Sequence, residues 1–441
     1  MLHDRQSNPL SGATSAARDR FDEGCEAFVI YSGDPVAAFE AAIAEAPGCA
    51  MAHLARAWCF ALATEPEAAA AARAMLDTAR DLPHDDRAAG HRAALDAALR
   101  GEWTEAARRL EYHSLAFPRD LIALQAGHLI DFLRADARTL RDRIARALPH
   151  WGDVPGRSFL LGMYAFGLEE AGDYARAEAA GREAVAADTR DCWAHHAVAH
   201  VMEMEGRAAD GLSWIAGREA HWAEESNFLK VHNWWHRALC HLELGDAQAA
   251  LALFDGPIAG PGQGGGTAVN LVDASALLWR LDLMGVDVGD RWDSLSAAWE
   301  PFSDGALYPF NDFHAAMAHL GAGRHDAVDR LLGRMAAAGG SETALWIAQT
   351  GRPLIEGLSA FRRGAWREAA DRLWSARHIA GAFGGSHAQR DVIDWTLTEA
   401  ALRGGIADMA EGLVDERLAL RPHSPVNLAF QDRLRDGRAA A

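Results

Sequence analysis

The sequence predicts an all-α fold in which helical hairpins repeat along the chain and stack into a superhelical solenoid. Two observations predict it. Alanine-rich amphipathic runs punctuated by Gly and Asp dominate the 441 residues, while runs of alternating β-branched residues are absent. The punctuation is also periodic, so it marks the turns of a repeated unit rather than isolated loops.

The period is that of tetratricopeptide-like repeats of 34 residues. There a Gly-Asp-like turn joins two helices, a small residue follows five positions on where the helices touch, and a bulky one comes about four later. This grammar occurs at Gly33-Asp34 with Ala38, at Gly101-Glu102-Trp103 with Ala106, Leu110 and Pro118, and at Gly172-Asp173-Tyr174 with Ala177. It continues at Gly206 with Gly211 and Ile215, at Gly245-Asp246 with Ala250 and Phe254, and at Gly323 with Val328 and Leu332. Gly364-Ala365-Trp366 with Ala369 and Leu373, and Gly405 with Ala410, Val414 and Pro422, complete the series. The intervals Gly33 to Gly101 and Gly101 to Gly172 each leave room for one more degenerate hairpin. The 78 residues from Gly245 to Gly323 include a Gly/Pro-rich loop, Asp255 to Thr267, which lacks the Gly-Lys-Ser/Thr ending of a phosphate loop and reads as a connector or a lid.

No single hairpin can bury its own apolar face, so neighbours must stack into one continuous core with a concave inner surface. The length would suit about three ordinary domains, but a repeat array can run this far as one unit. The expected organisation is a disordered tail over residues 1–18, one repeat domain over 19–433 and a second disordered tail over 434–441.

Composition narrows the partners. A formal charge of -19, from 62 acidic and 43 basic residues, argues against nucleic acid and anionic membrane surfaces, both of which need clustered basic charge. Five scattered cysteines, Cys25, Cys49, Cys59, Cys192 and Cys240, in no CxxC spacing fit free thiols in a reducing compartment. The first twenty residues lack an apolar signal core and no run of 18 apolar residues occurs, so the expected location is the cytoplasm.

The chemistry concentrates between residues 191 and 245. This window holds seven of the 20 histidines (His195, His196, His200, His221, His232, His236, His241) and five of the 15 tryptophans (Trp193, Trp214, Trp222, Trp234, Trp235), about a threefold enrichment. The repeat register assigns Trp214, Trp234 and His241 to packing. It turns Trp193, His196, His200 and Glu203 of one helix, and His232, Trp235, His236 and Glu243 of the next inner helix, toward the concave face.

Two His pairs at i,i+4 spacing, each with a carboxylate nearby, suit three tasks. His196, His200, His232 and His236 could ligate zinc or another first-row divalent metal, although HxxxH without HExxH is a weak signal. His200 and His236 with Glu203 could act as general acid and base. Trp193, His196, His232 and Trp235 could instead form a stacking and hydrogen-bonding pocket. Asp273, Asn311, Asp312 and His314 follow on the next inner helices, and His387, Gln389, Arg390 and Asp391 would close the far wall. Arg390 is the expected anchor for a ligand carboxylate or phosphate, against an ion pair for Arg390 and Asp391. No GxSxG elbow occurs, and Cys192 and Cys240 read as buried thiols.

The runs HAVAHVMEMEGR, VHNWWHRALCHLELGD, NLVDASALLWRLDLMGV, NDFHAAMAHL and GGSHAQRDVIDWTLTEAAL resemble the tetratricopeptide repeat protein 38 family over roughly residues 20 to 425. HNWWH and AQRDV are the specific parts, since neither belongs to the general repeat consensus. The resemblance implies an all-helical protein of about this length and assigns no catalytic residues; His387 stands where relatives tend to carry Asn. The expectation is a small-molecule site on the concave face, its reaction and its status as an enzyme left open. The alternative is a scaffold holding a peptide or protein partner in the same groove.

Overall fold

The glycines that the sequence places at turns sit where only glycine is comfortable. Gly33, Gly101, Gly172, Gly206, Gly245, Gly323, Gly364 and Gly405 all have φ between 61° and 89°, the left-handed region in which a side chain is strained. The packing positions follow the same register. Ala106, Ala177, Gly211, Ala250, Val328, Ala369 and Ala410 are buried, and Ala38 is half-buried.

In the computed structural model, which describes residues 2–260 and 266–439, the chain is almost wholly helical and forms two compact units. The first unit comprises residues 1–198, 220–230 and 341–343, and the second 199–219, 231–340 and 344–441.

The first unit opens with a two-stranded antiparallel hairpin, β1 (Leu2–His3) and β2 (Pro9–Leu10). Helical hairpins follow: α1 (Ser15–Ile30) with α2 (Pro35–Glu45), α3 (Ala50–Ala61) with α4 (Pro66–Arg80), and α5 (Asp86–Leu99) with α6 (Trp103–Ala116). Next come α7 (Leu121–Leu133) with α8 (Ala137–Ala147), and α9 (Arg157–Glu170) with α10 (Tyr174–Ala187). The pairs α3/α4 and α7/α8 occupy the two intervals that had room for degenerate repeats. Their turns replace glycine by Thr64 at φ 57° and Ala135 at φ 48°, which hid them from a search for turn glycines.

The N-terminal segment is ordered, contrary to expectation, because its polar side chains are bonded into the first unit. Asp4 pairs with Arg87 at 2.9 Å, Gln6 Nε2 donates to the Pro155 carbonyl, and Asn8 Nδ2 donates to the Arg119 carbonyl.

Helix α11 (Cys192–Met204) contributes Ala199–Met204 to the second unit, where α12 (Ala208–Ala216) follows it. After the short α13 (Glu219–Trp222) come α14 (Lys230–Glu243), α15 (Ala247–Leu253), α16 (Ala268–Leu283), α17 (Arg291–Ala298), α18 (Pro309–Gly321) and α19 (His325–Ala337). The short α20 (Glu342–Trp346) leads into α21 (Arg352–Arg362), α22 (Trp366–Arg377), α23 (His387–Arg403), α24 (Ala407–Leu420) and α25 (Pro425–Ala439). α16 packs on both α18 and α23, and α18 on α21, so the first helices of these hairpins converge on one interior.

The turn between α16 and α17 uses Gly285 at φ 78°, dividing the long interval between Gly245 and Gly323 into ordinary repeats. α25 runs through most of the segment expected as a C-terminal tail. Of the Gly/Pro-rich loop, residues 261–265 lie outside the described residues; before them Asp255 pairs with Arg291 at 2.6 Å. All five cysteines are free, and no described helix is long and apolar enough to cross a membrane.

Candidate functional site

The second unit gathers histidines from α11 and α14 with carboxylates from α11 and α16. His200 and Glu203 stand three residues apart on α11, His232 and His236 four apart on α14, and Asp273 and Arg280 seven apart on α16, so each pair shares a helix face. The convergence of these faces places the side chains in a buried interior, each at most 8% exposed.

The central contact joins two imidazoles. His236 Nε2 lies 3.2 Å from His232 Nε2, and each ring turns its other nitrogen to a carboxylate: His232 Nδ1 to Asp273 Oδ2 at 2.8 Å, His236 Nδ1 to Glu203 Oε2 at 3.1 Å. The His200 ring meets the His236 ring edge-on, with centroids 4.4 Å apart. His200, His232 and His236 each offer a nitrogen within 4.8 Å of the others. Trp235 stacks on His232 at 5.3 Å and meets His236 at 4.9 Å, forming an apolar wall.

Burial raises the Glu203 carboxyl to about 7, against the pull of the nearby positive charges of Arg421 and Arg280. Burial also holds His236 well below the ordinary imidazole range, reinforced by His200, His232 and Arg280.

Two further residues sit on α18. Asp312 Oδ1 accepts from the Gly305 N–H at 3.1 Å, and burial lifts its carboxyl to about 8. His314 Nδ1 bonds to the Phe310 carbonyl at 2.8 Å and is pushed by burial down to about 3, so the ring is neutral, carries its hydrogen on Nδ1 and leaves Nε2 a bare acceptor. Asn311 beside them is buried.

Several expected site residues are placed elsewhere. Trp193 and His196 belong to the first unit, where Trp193 Nε1 donates to His128 Nε2 at 3.0 Å and His196 packs between Phe166 and Trp193. Of the four expected metal ligands, His200, His232 and His236 lie in the second unit and His196 in the first. Glu243 pairs with Arg421 at 3.1 Å and borders a cleft of about 330 Å³ lined also by Glu205, Arg207 and His423.

Arg390 donates to the Gly385 carbonyl, Gln389 closes a capping box with Ser386 at the start of α23, and His387 is exposed. Asp391 takes up the ion-pair alternative with Arg417 at 2.9 Å and Arg421 at 3.3 Å. Against the upward push of burial, these two arginines hold its carboxyl far below the carboxylate range. Trp214 packs as expected, but Trp234 and His241 are only half-buried. Trp235, which the register turns inward, is fully buried.

Sequence reasoning missed Arg280, whose buried charge acts on His236, His314 and Glu203. Its signal was present: a lone arginine in the apolar run LVDASALLWRLDL, two turns from Asp273 on the same face.

No family model matches the chain. Among solved structures it is similar to the Cut9–Hcn1 hetero-tetramer of the APC/C, at 12% identity over 95% of this chain and 76% of that one, with a TM-score of 0.43. It is also similar to the human IFIT1 dimer with m7Gppp-AAAA, at 14% identity over 98% and 96% of the two chains, with a TM-score of 0.41. Likeness at this level carries nothing about ligand or partner.

Proposed function

We propose that the second unit is a metal-centred small-molecule site in which His200, His232 and His236 hold a first-row divalent ion of the zinc class. The observation that carries this reading is the 3.2 Å approach of two Nε2 atoms whose rings each present Nδ1 to a carboxylate. With a hydrogen on each Nδ1, the two Nε2 lone pairs face each other and need a positive centre between them. Two nitrogens bound to zinc at about 2.0–2.1 Å with a tetrahedral angle stand about 3.3 Å apart. Carboxylates behind the ligand imidazoles are the usual means of fixing their tautomer and orientation.

Three protein ligands leave a coordination position for water or substrate, so the ion would supply an activated water or polarise a substrate oxygen. The chain's own groups do the rest. Asp273 and Glu203 orient the ligand rings, and Trp235 shields them from bulk water. Burial of the triad favours a small ligand over an extended peptide, which needs an open stripe of accessible side chains.

The same geometry supports one other chemistry. If Glu203 holds a proton, hydrogen bonds can run in one direction from Glu203 through His236 and His232 to Asp273, making a proton relay without metal.

Metal analysis of the purified protein separates the two. The metal reading expects about one equivalent per chain, and tetrahedral visible absorption after substitution with cobalt. Both should be lost in His232→Ala/His236→Ala, and His241→Ala, on the outer side of α14, should behave as wild type. Protein that stays metal-free after incubation with zinc, with no shift in melting temperature, sinks the metal reading and leaves the relay. Kinship with the tetratricopeptide repeat protein 38 family, carried by HNWWH and AQRDV, and a cytoplasmic location are part of the same proposal.

A further inference from the structure

Arg280 is 1% exposed, and its guanidinium donates to two backbone carbonyls, Ala276 at 3.1 Å and Ala388 at 2.8 Å; no described carboxylate forms an ion pair with it. A buried cation is unfavourable unless counter-charge offsets its burial. Burial lowers the Arg280 pKa to about 10, against the upward pull of the Asp391 and Glu203 carboxyls, neither of which forms an ion pair with it.

Its surroundings are incomplete in a complementary way. Arg280 Cζ lies 5.7 Å from the Trp235 ring centroid, and the Trp235 Nε1–H, also buried, has no acceptor among the described residues. Other tryptophans of this unit do find one: Trp279 Nε1 donates to Thr396 at 2.9 Å and Trp299 Nε1 to Ser275 at 2.8 Å. The bare His314 Nε2 is likewise buried without a described donor, and the Arg280 charge acts on His314, His236 and Glu203. One buried cation, one N–H donor and one acceptor thus lie in the same unit as the histidine triad, the cation close to the Trp235 ring and its charge acting on His314. Native proteins leave few such groups open, and those they do leave open mark places that a ligand or ordered water completes.

We infer that Arg280 and the Trp235 Nε1–H bind the anionic end of a small oxyanion substrate, a carboxylate or phosphate, while His314 Nε2 accepts a hydrogen bond from a hydroxyl on the same molecule. Arginine is the suitable residue because its planar fork matches both oxyanions. The assignment rests on the metal reading only for the reacting end of the substrate; the anion site itself needs no metal. It also replaces Arg390, which the sequence favoured as the anchor and whose guanidinium is spent on the Gly385 carbonyl.

The test is a calorimetric titration with inorganic phosphate and, separately, glycolate, on metal-loaded and metal-stripped protein, with melting temperatures in anion-free buffer. Saturable binding of at least one anion is expected, weakened at least tenfold in Arg280→Met and less in Arg280→Lys. Preference for glycolate would assign a hydroxy-carboxylate, and preference for phosphate a phosphorylated compound. Without anion, Arg280→Met should melt no lower than wild type, because it removes a buried charge that the Asp391 and Glu203 carboxyls offset only in part.

Absence of anion binding to wild type, or equal binding by wild type and Arg280→Met, overturns the inference. In the first case a lower melting temperature for Arg280→Met would identify Arg280 as a cross-link between α16 and Ala388. Should Arg280→Met fail to fold, Trp235→Phe removes the N–H with part of the indole but no charge, and should weaken phosphate or glycolate several-fold. Arg280-dependent binding to a protein that holds no metal would defeat the metal reading alone. Metal binding without anion binding would defeat this inference alone.

Discussion

In the first unit Asp120 gathers Arg87 at 2.7 Å, His91 at 2.9 Å and His113 at 3.0 Å, while Trp58 Nε1 donates to His91 Nδ1 at 3.0 Å. In the second, Asp273 and Glu203 stand behind two imidazoles whose Nε2 atoms face each other at 3.2 Å. Both clusters are fully interior and both contain the residue types that bind metals. They differ in how their hydrogen bonds close. Trp58 can only donate, so His91 must carry its hydrogen on Nε2 and spend it on Asp120. The same carboxylate already holds the Arg87 guanidinium, whose charge would oppose a divalent ion there. The first cluster is therefore a cross-link among α3, α5, α6 and α7, extended to the N-terminal hairpin through Arg87 and Asp4. The second holds two Nε2 atoms against each other and leaves the Trp235 indole N–H and the His314 Nε2 without a partner among the described residues. Residue type alone does not separate the two; the direction of each donated hydrogen does.

The largest expected effect breaks the first cluster. Asp120→Ala leaves the Arg87 charge partly uncompensated in the interior and removes acceptors from His91 and His113. A loss of about 3–5 kcal/mol is expected in chemical denaturation. A loss under about 1 kcal/mol would mean that the network is not the cross-link described. Zinc should not rescue the variant.

Asp312 gives a pH signature to the second unit. Its folded carboxyl at about 8 lies above the ordinary value of 3.8, so between these values the folded state holds a proton that the unfolded state lacks. Its contribution is fully present below about pH 4 and is lost as pH rises toward 8, at up to about 1.4 kcal/mol per unit. His314 acts in the other direction: folded at about 3 against an ordinary 6.5, it withdraws stability as pH falls through that range. Glu203 and Asp191, raised by burial to about 7 and about 8, titrate in the same range, so from pH 6.5 to 8 the difference between wild type and Asp312→Asn isolates Asp312. Wild type should lose stability relative to Asp312→Asn across that window, and parallel curves would contradict the raised pKa. Asp304, which adds to the rise, and Arg334, which opposes it, remain in both proteins.

Asp273→Asn sharpens the comparison from the side of function. If Asp273 only orients His232, metal affinity should fall about 10–100-fold while the fold survives. Unchanged affinity in competition with a chelator would remove Asp273 from that role.

The repeat architecture was legible because turn glycines and small contact residues are dictated locally, by φ and by helix approach. Gly211 illustrates this: a Cβ there would stand 3.0 Å from Cys240 Sγ. The hairpins at Thr64 and Ala135 escaped because their turns pay backbone strain in place of using glycine. The histidine triad was legible from i,i+4 spacing, since a helix fixes which residues share a face. What spacing could not supply was the partner across helices. The pairing of His232 with Asp273 spans 41 residues and that of Asp391 with Arg417 spans 26. The depth of burial was equally hidden, because an inner face looks alike in sequence whether the superhelix stays open or closes on itself. Arg280 was passed over for that reason: in an open groove it would be one more packing-face residue, and only in a closed interior is its charge conspicuous.

The smallest expected effect compares two indoles. Trp58→Phe and Trp235→Phe remove similar volumes from fully buried sites, so their packing losses should be alike. Only the first also takes away a made hydrogen bond and leaves His91 Nδ1 without its donor. Trp58→Phe should therefore cost about 1 kcal/mol more than Trp235→Phe in denaturant unfolding of anion-free protein. Equal losses would mean that the Trp235 Nε1–H is bonded in solution by an ordered water. The indole would then be satisfied without a ligand, and the second unit's interior would be closer in kind to the first than its geometry indicates.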